Sequence, residues 1–266
     1  MQSVNLSLPR VFISIVSHGH GNMIRELNCI ASLSKKYNVI IKNNCKDDLL
    51  IEYQTEHSLL IIDQDYYQGF GYNNNVVFNY CAQNLGMQPE DYFIVLNPDL
   101  AVSVDTIETL VNRMINDSVM VATINLFKDE LLTDYDNSIR NFPKLSDFFS
   151  SLILGKNNTK LDKASIKKPI NIDWCAGSFI AFSCSAFKNI RGFDTGYYMY
   201  CEDIDLCYRL MAKDYNITYY PDLIAIHKAQ HKNRSVLSKH FLWHVKSAVR
   251  FILAKHNLIE NRSNIL

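Results

Sequence analysis

Residues 92–99 read Tyr92-Phe93-Ile94-Val95-Leu96-Asn97-Pro98-Asp99. An unbroken apolar run of this length is what a strand buried on both faces requires. It stops at Asn-Pro-Asp, whose residues favour a turn. Working outward, the same unit recurs. Residues 11–16 are apolar and β-branched, then comes the polar turn Ser17-His18-Gly19-His20-Gly21-Asn22, then helical spacing over 23–36. Residues 39–41 and 59–62 read as further strands and 74–85 as a helix. Residues 106–115 read as a helix capped by Ser103 or Asp105, and 119–124 as another strand. Strands alternating with helices predict an α/β fold whose central sheet is mostly parallel and flanked by helices.

The 266 residues are 48% hydrophobic and 20% charged, enough for a sizeable core and unlike a disordered chain. Lys plus Arg equals Asp plus Glu, 27 of each, so no global charge bias points to nucleic acid. The seven cysteines (29, 45, 81, 175, 184, 201 and 207) are odd in number and lack a CxxC spacing. That disfavours a disulfide framework or zinc knuckle and suits a reducing compartment. The first ten residues lack a basic-then-apolar leader pattern, and no apolar run approaches the ~20 residues of a membrane span. The expectation is a cytoplasmic protein.

Beyond residue 125 the rhythm loosens. Residues 156–168 read as a basic exposed loop, 174–182 and 217–220 as strands, and 203–213 as a helix with an Asp205–Arg209 pair at i,i+4. From 227 to 262 there are eight Lys or Arg against one acid, Glu260. Within it, 235–255 has helical periodicity. Leu237, Phe241, Val245, Ala248 and Ile252 share the face expected to pack inward, with Lys239, Lys246, Arg250 and Trp243 on the other. The chain therefore divides into residues 1–228 and a basic amphipathic appendage, 229–266.

Four constellations could carry chemistry. Asp99 ends a strand at the edge where open α/β sheets bind ligands, and a carboxylate there can hold Mg²⁺ or Mn²⁺ against a diphosphate; Asn-Pro-Asp is equally a plain turn. Asp194, Glu202, Asp203 and Asp205 lie within twelve residues of an apolar, aromatic stretch. Crowded acids there can have a raised pKa, as a general base needs, or simply favour a helix N-terminus. Gly69-Phe70-Gly71-Tyr72-Asn73-Asn74-Asn75 permits close backbone approach to a ligand, or is a loop-to-helix junction. His227 ends an apolar run as a metal ligand or a structural histidine.

The order and spacing of SHGH (17–20), GFGYNNN (69–75), VLNPDL (95–100), WCAGSFIAF (174–182), RGFDTGYYMYCEDIDLCYRL (191–210) and IHKAQH (226–231) resemble the family 2 glycosyltransferases. More narrowly they are similar to bacterial rhamnosyltransferases of O-antigen assembly. The likeness runs from about residue 11 to the C-terminal helix. It implies a GT-A fold and inverting, metal-assisted transfer of rhamnose from dTDP-rhamnose to lipid-diphosphate-linked N-acetylglucosamine. Residues 10–125 would form the nucleotide-sugar half and 126–228 the acceptor half of the catalytic domain. By the resemblance, Asp99 and His227 would ligate Mg²⁺ or Mn²⁺, Asp203 would be the base, and Glu202 its reserve. Asn97 replaces the usual first acid of the metal motif. Ser17, His18, Asn43, Gly71, Asn74 and Asn97 would line the donor site, with Asn43-Asn44-Cys45 standing where Asp-Asn-x-Ser is common. Trp174 and Gly177 would meet the acceptor.

A lipid-linked acceptor gives the basic helix a reason: Trp243, Lys239, Lys246 and Arg250 would touch the cytoplasmic face of the inner membrane. An ordinary solvated face is the alternative. Homo-oligomerisation stays open. Three competing readings remain: a UDP-sugar donor (hexosyl or galactofuranosyl), a non-catalytic nucleotide-binding homologue suggested by Asn43 and Asn97, and a nucleic-acid module. The last lacks a recognised motif.

Overall fold

The computed structural model describes residues 8–57, 59–142, 159–228 and 239–266. In chain order the elements are β1 (Val11–Ser17), α1 (Gly21–Leu27), α2 (Cys29–Ser34), β2 (Asn38–Asn43), α3 (Asp48–His57), β3 (Leu60–Ile62), α4 (Phe70–Asn84), β4 (Tyr92–Leu96) and β5 (Leu100–Ala101). There follow α5 (Val104–Asn116), β6 (Val121–Phe127), β7 (Ile139–Arg140), β8 (Ile170–Ile172), β9 (Trp174–Cys175), β10 (Phe179–Ser183), α6 (Cys184–Asn189), α7 (Glu202–Met211), β11 (Ile217–His227) and α8 (Lys239–Lys255).

The main sheet has the order β3-β2-β1-β4-β10-β6-β11-β5, and β8 also pairs with β11. Strands β3, β2, β1, β4, β6 and β11 run one way, and β10, β5 and β8 run against them. The sheet is therefore mostly parallel, as the alternation predicts. Its two faces are separately buried. Ile13, Ile15, Ile41 and Ile94 pack with α1, α2 and α5 on one side. Phe12, Ile40, Phe93 and Val95 pack with α4 and α6 on the other. Double burial is why β1 and β4 read as unbroken apolar runs.

The structure revises several expected boundaries. The single helix over 23–36 is two helices, because Asn28 adopts φ 50° between them; Asn tolerates this left-handed conformation better than most residues. Helix α4 begins at Phe70, four residues before the expected start, with Gly69 as its extended N-cap, so GFGYNNN is a loop-to-helix junction. Gly71 lies inside α4 because a Cβ there would stand 2.6 Å from Cβ of Phe193. Of the two offered caps for α5, Ser103 serves, its Oγ accepting from the Thr106 N–H. Strand β11 does not stop at Tyr220. It passes Pro221 through a bulge and runs on to His227. The 174–182 stretch is two strands in different sheets, since β9 pairs with β7. Of the expected 156–168 loop, residues 156–158 lie outside the described residues, and Lys163 is buried rather than exposed. All seven cysteines are free thiols.

Helix α8 is turned relative to its expected orientation. Residues 235–238, Leu237 among them, and the Lys239 side chain lie outside the described residues. Phe251 and Ser247 face inward, and Ser247 Oγ donates to the Met199 carbonyl at 2.8 Å. Trp243 stacks on Tyr198 with ring centres 4.8 Å apart. Arg250 pairs with Asp194 at 2.7 Å, with side chains 14% and 1% exposed. Trp243 and Arg250 are thus partly buried against the body rather than free on the outer face. The cause is Asp194: a buried carboxylate requires a cation and hydrogen bonds, and Arg250, with the Gly196 and Arg262 N–H groups, supplies them. The outer face carries Leu242 and Val249, 67% and 51% exposed, beside exposed Lys246. After α8 the chain returns over α4, where Asn79 donates to the Asn264 carbonyl and Asn75 to the Asn264 side chain.

Candidate active site

The carboxyl ends of the parallel strands form one edge of the sheet, where open α/β sheets place ligands. Registers Ser17↔Asn43 and Ile15↔Leu96 bring the ends of β1, β2 and β4 side by side. Asn97, just past β4, donates its N–H to the Ser178 carbonyl at 2.9 Å. Short β5 then pairs Leu100 with His227 at the end of β11. The Lys228 N–H donates to the Asp99 carbonyl at 2.9 Å, closing the turn.

This pairing sets Asp99 Oδ1 3.2 Å from His227 Nε2. Both atoms are buried, and neither finds an aligned hydrogen-bond partner. The other ring nitrogen, Nδ1, lies 2.5 Å from Asp136 Oδ2. Burial opposes a charge on His227, but the Asp136 and Asp99 carboxylates outweigh it and raise its pKa to about 9. The place therefore favours positive charge between Asp99 and His227. A divalent cation suits it in charge and donor set: one carboxylate oxygen and one imidazole nitrogen, each otherwise unpartnered. Among the described residues no group of three or more His, Cys, Asp or Glu side chains converges on a point. The described residues would supply two ligands, leaving the others to phosphate oxygens and water.

Asp203 stands at the start of α7. Its Oδ2 accepts from the Gly177 N–H at 3.2 Å and its Oδ1 from the Ile204 N–H at 2.8 Å. Burial raises its pKa above the usual carboxylate range, against these N–H groups and the charge of Arg140. Glu202 is buried, its Oε2 lacks a partner, and burial with the neighbouring Asp203 pushes its pKa up to about 8. Gly177, which anchors Asp203, precedes Ser178, which anchors Asn97. The acid pair and the Asp99 turn thus share one backbone frame. A Cβ at Gly177 would meet Phe70 at 2.9 Å. Trp174 donates its indole N–H to the Asn141 carbonyl, and the Arg140 guanidinium lies 5.4 Å over its ring.

Among the expected nucleotide contacts, Ser17 and Asn43 are buried at the edge. Ser17 Oγ accepts from the His20 N–H at 3.3 Å. Asn43 Nδ2 donates to Asp63 at 2.8 Å, while its Oδ1 is buried and unpartnered. His18 is exposed, its ring edge against Tyr67. Gly71 and Asn74 lie elsewhere than on an open donor surface. Gly71 is filled in by Phe193, and Asn74 Oδ1 accepts from the Ser14 hydroxyl at 2.7 Å inside the molecule. Asn74 ties α4 to β1, and Gly71 lets Phe193 pack against α4.

Sequence reasoning missed Asp136, Asp63 and Arg140. Asp63 follows β3 at the same sheet edge, so strand position alone could have flagged it. Asp136 sits in an acidic loop without a motif, and Arg140 becomes notable only once it lies over Trp174.

The glycosyl transferase family 2 model matches residues 15–191, which include the β1 edge, the Asp99 turn and β10. Rhamnosyltransferase WbbL of Escherichia coli K12 is 41% identical over 256 residues, spanning 95% of this chain and 96% of that one. The chain is a family 2 glycosyltransferase. A second model, described as an N-terminal domain of galactosyltransferase, matches residues 159–233 of this glycosyltransferase. The N-acetylglucosaminyl-diphospho-decaprenol L-rhamnosyltransferase of Mycobacterium tuberculosis H37Rv is 27% identical over 179 residues, covering 63% of this glycosyltransferase and 57% of that protein. In fold it matches GalNAc-T7, solved with UDP, GalNAc and Mn²⁺, at TM-score 0.61 and 15% identity, over 93% of this chain and 48% of that one. It matches the Pyrobaculum calidifontis mannosyltransferase PcManGT, solved with GDP-Man and Mn²⁺, at TM-score 0.57 and 14% identity, over 97% and 66%. The glycosyltransferase therefore has the GT-A fold. Among its described residues no helix is long and apolar enough to cross a membrane.

Proposed function

We propose that this glycosyltransferase moves L-rhamnose from dTDP-rhamnose to an N-acetylglucosamine carried on a lipid diphosphate, with inversion, in O-antigen assembly. The observation that carries the reading is the 41% identity to a rhamnosyltransferase over nearly the full length of both chains. The mycobacterial relative, an N-acetylglucosaminyl-diphospho-decaprenol L-rhamnosyltransferase, supports the acceptor class.

Asp99 and His227 would hold Mg²⁺ or Mn²⁺. When bound, such a cation supplies Lewis-acid stabilisation of the negative charge growing on the departing diphosphate. Asp203 takes the proton of the acceptor hydroxyl as that oxygen attacks C1 of the sugar; the C1–O bond to the diphosphate breaks on the opposite face. Glu202, buried and favouring its protonated form below about pH 8, limits the negative charge beside the base. Asn43 Oδ1 is left to accept from the N–H of a pyrimidine, with Ser17 and His18 beside it and Asn97 near the sugar. Trp174 and Gly177 line the acceptor side, and Arg140 adds a cation there. The lipid of such an acceptor would hold the enzyme at the cytoplasmic membrane face. There the α8 surface of Leu242, Val249 and Lys246 presents apolar area beside positive charge. Trp243 and Arg250 are excluded from that surface by their packing.

A thermal-shift panel with dTDP, UDP, GDP and ADP, with and without Mn²⁺, tests the donor. A ligand that binds only the folded state raises its stability by RT ln(1 + [L]/Kd). The expected result is a Mn²⁺-dependent shift, largest for dTDP. A larger shift with UDP would move the donor to a UDP-sugar, and equal shifts with and without Mn²⁺ would contradict the metal.

A further inference from the structure

We propose that Asp136 is a positioning residue that fixes the His227 imidazole so that Nε2 faces Asp99. The inference rests on the reading of Asp99 and His227 as a cation site and adds a residue that no motif marks.

Asp136 reaches this place through the loop that follows β6. Its N–H donates to the Leu126 carbonyl at 2.9 Å, and Tyr135 bridges antiparallel to Phe127. On its far side the Ala176 N–H donates to the Ser138 carbonyl at 2.8 Å. The backbone on either side is therefore pinned to strand ends that also carry the site. A carboxylate can only accept, so the 2.5 Å contact has His227 Nδ1 donating to Asp136 Oδ2. Two consequences follow. The ring cannot flip without losing that bond, and the nitrogen left for a ligand is Nε2, which already faces Asp99. Histidines that ligate metals commonly donate their other N–H to a carboxylate, which fixes orientation and raises basicity.

The carboxylate is itself supported. Lys163 is almost fully buried, donating to Ser138 Oγ at 2.8 Å and to the Leu126 carbonyl at 3.3 Å. The same Leu126 carbonyl accepts from the Asp136 N–H, so the ammonium stands beside the loop that carries Asp136. Charge thus alternates along Asp99, His227, Asp136 and Lys163.

The test is the affinity for Mn²⁺ of the protein with saturating dTDP, read by the electron paramagnetic resonance of free Mn²⁺. Asp136→Asn keeps shape and one acceptor oxygen but removes the charge. It is expected to bind Mn²⁺ about 10–100-fold more weakly, with the dTDP affinity in EDTA unchanged. Asp134→Asn, on the same loop but exposed and paired with Lys128, is expected to bind Mn²⁺ as wild type does. Since Asp136 acts through His227, adding Asp136→Asn to His227→Ala should weaken Mn²⁺ no further. Wild-type Mn²⁺ affinity in Asp136→Asn, or the same additional loss without His227, would overturn the positioning role and leave the cation site standing. Absence of Mn²⁺ binding by the wild type would overturn both.

Discussion

Asp203→Asn is expected to lower kcat by about 10²–10⁴-fold, the usual worth of general-base assistance, while nucleotide affinity stays at its wild-type value. The two carboxylates of the pair differ in attachment. Asp203 is held by the Gly177 and Ile204 N–H groups and only partly buried by its neighbours, so it is oriented and reachable. Glu202 is buried and favours its protonated form. An asparagine at 203 can still accept from an N–H on one oxygen, so the fold should tolerate it while the base is lost. The pH dependence has a definite sign. The base works ionised, and burial raises the Asp203 pKa. Turnover therefore falls as pH drops through that raised value, and the acidic limb of the rate profile lies above the ~4 of an ordinary aspartate. The same limb should vanish from whatever rate Asp203→Asn retains. Near-normal turnover in Asp203→Asn would remove the assignment.

Asp99→Ala is expected to abolish the Mn²⁺ dependence of nucleotide binding, a loss greater than the ~10–100-fold that second-layer changes cost metal sites. Asp99 would be one of the two side-chain ligands that the described residues offer there, and its Oδ1 has no aligned hydrogen-bond partner to lose. The change removes a ligand and leaves the backbone bond between Lys228 and Asp99 in place. Calorimetric titration of dTDP with Mn²⁺ and with EDTA separates the effects. Wild-type and variant curves should coincide in EDTA and part in Mn²⁺. If they coincide in both, Asp99 is not a ligand.

The strands at the centre of the sheet were legible because burial on both faces leaves an unmistakable apolar run; β4 matches the expected 92–96 residue for residue. Boundaries failed where tertiary contact overrides local preference. Helix α4 runs through Gly71, where Phe193 packs too close for a Cβ, and β11 runs through Pro221 because a bulge absorbs it. The turn of α8 could not be read from its periodicity. The helix contains apolar residues all round, and its orientation is decided by Asp194, a buried acid 56 residues away. In the site, motif order led to Asp99, His227, Glu202 and Asp203, and the fold brings Asp99 to His227. What motif order could not supply were partners set by strand pairing and loop return: Asp136 behind His227, Asp63 on Asn43, and Arg140 over Trp174.

The most direct measurement is product formation from dTDP-rhamnose and a lipid-diphosphate-linked N-acetylglucosamine in Mn²⁺, with the anomeric configuration read by NMR. The account predicts a rhamnosylated lipid of inverted configuration, formed by the wild type, lost in Asp203→Asn, and absent with UDP-glucose or UDP-galactose as donor. Transfer from a UDP-sugar instead, or a product that retains the donor's configuration, would contradict it.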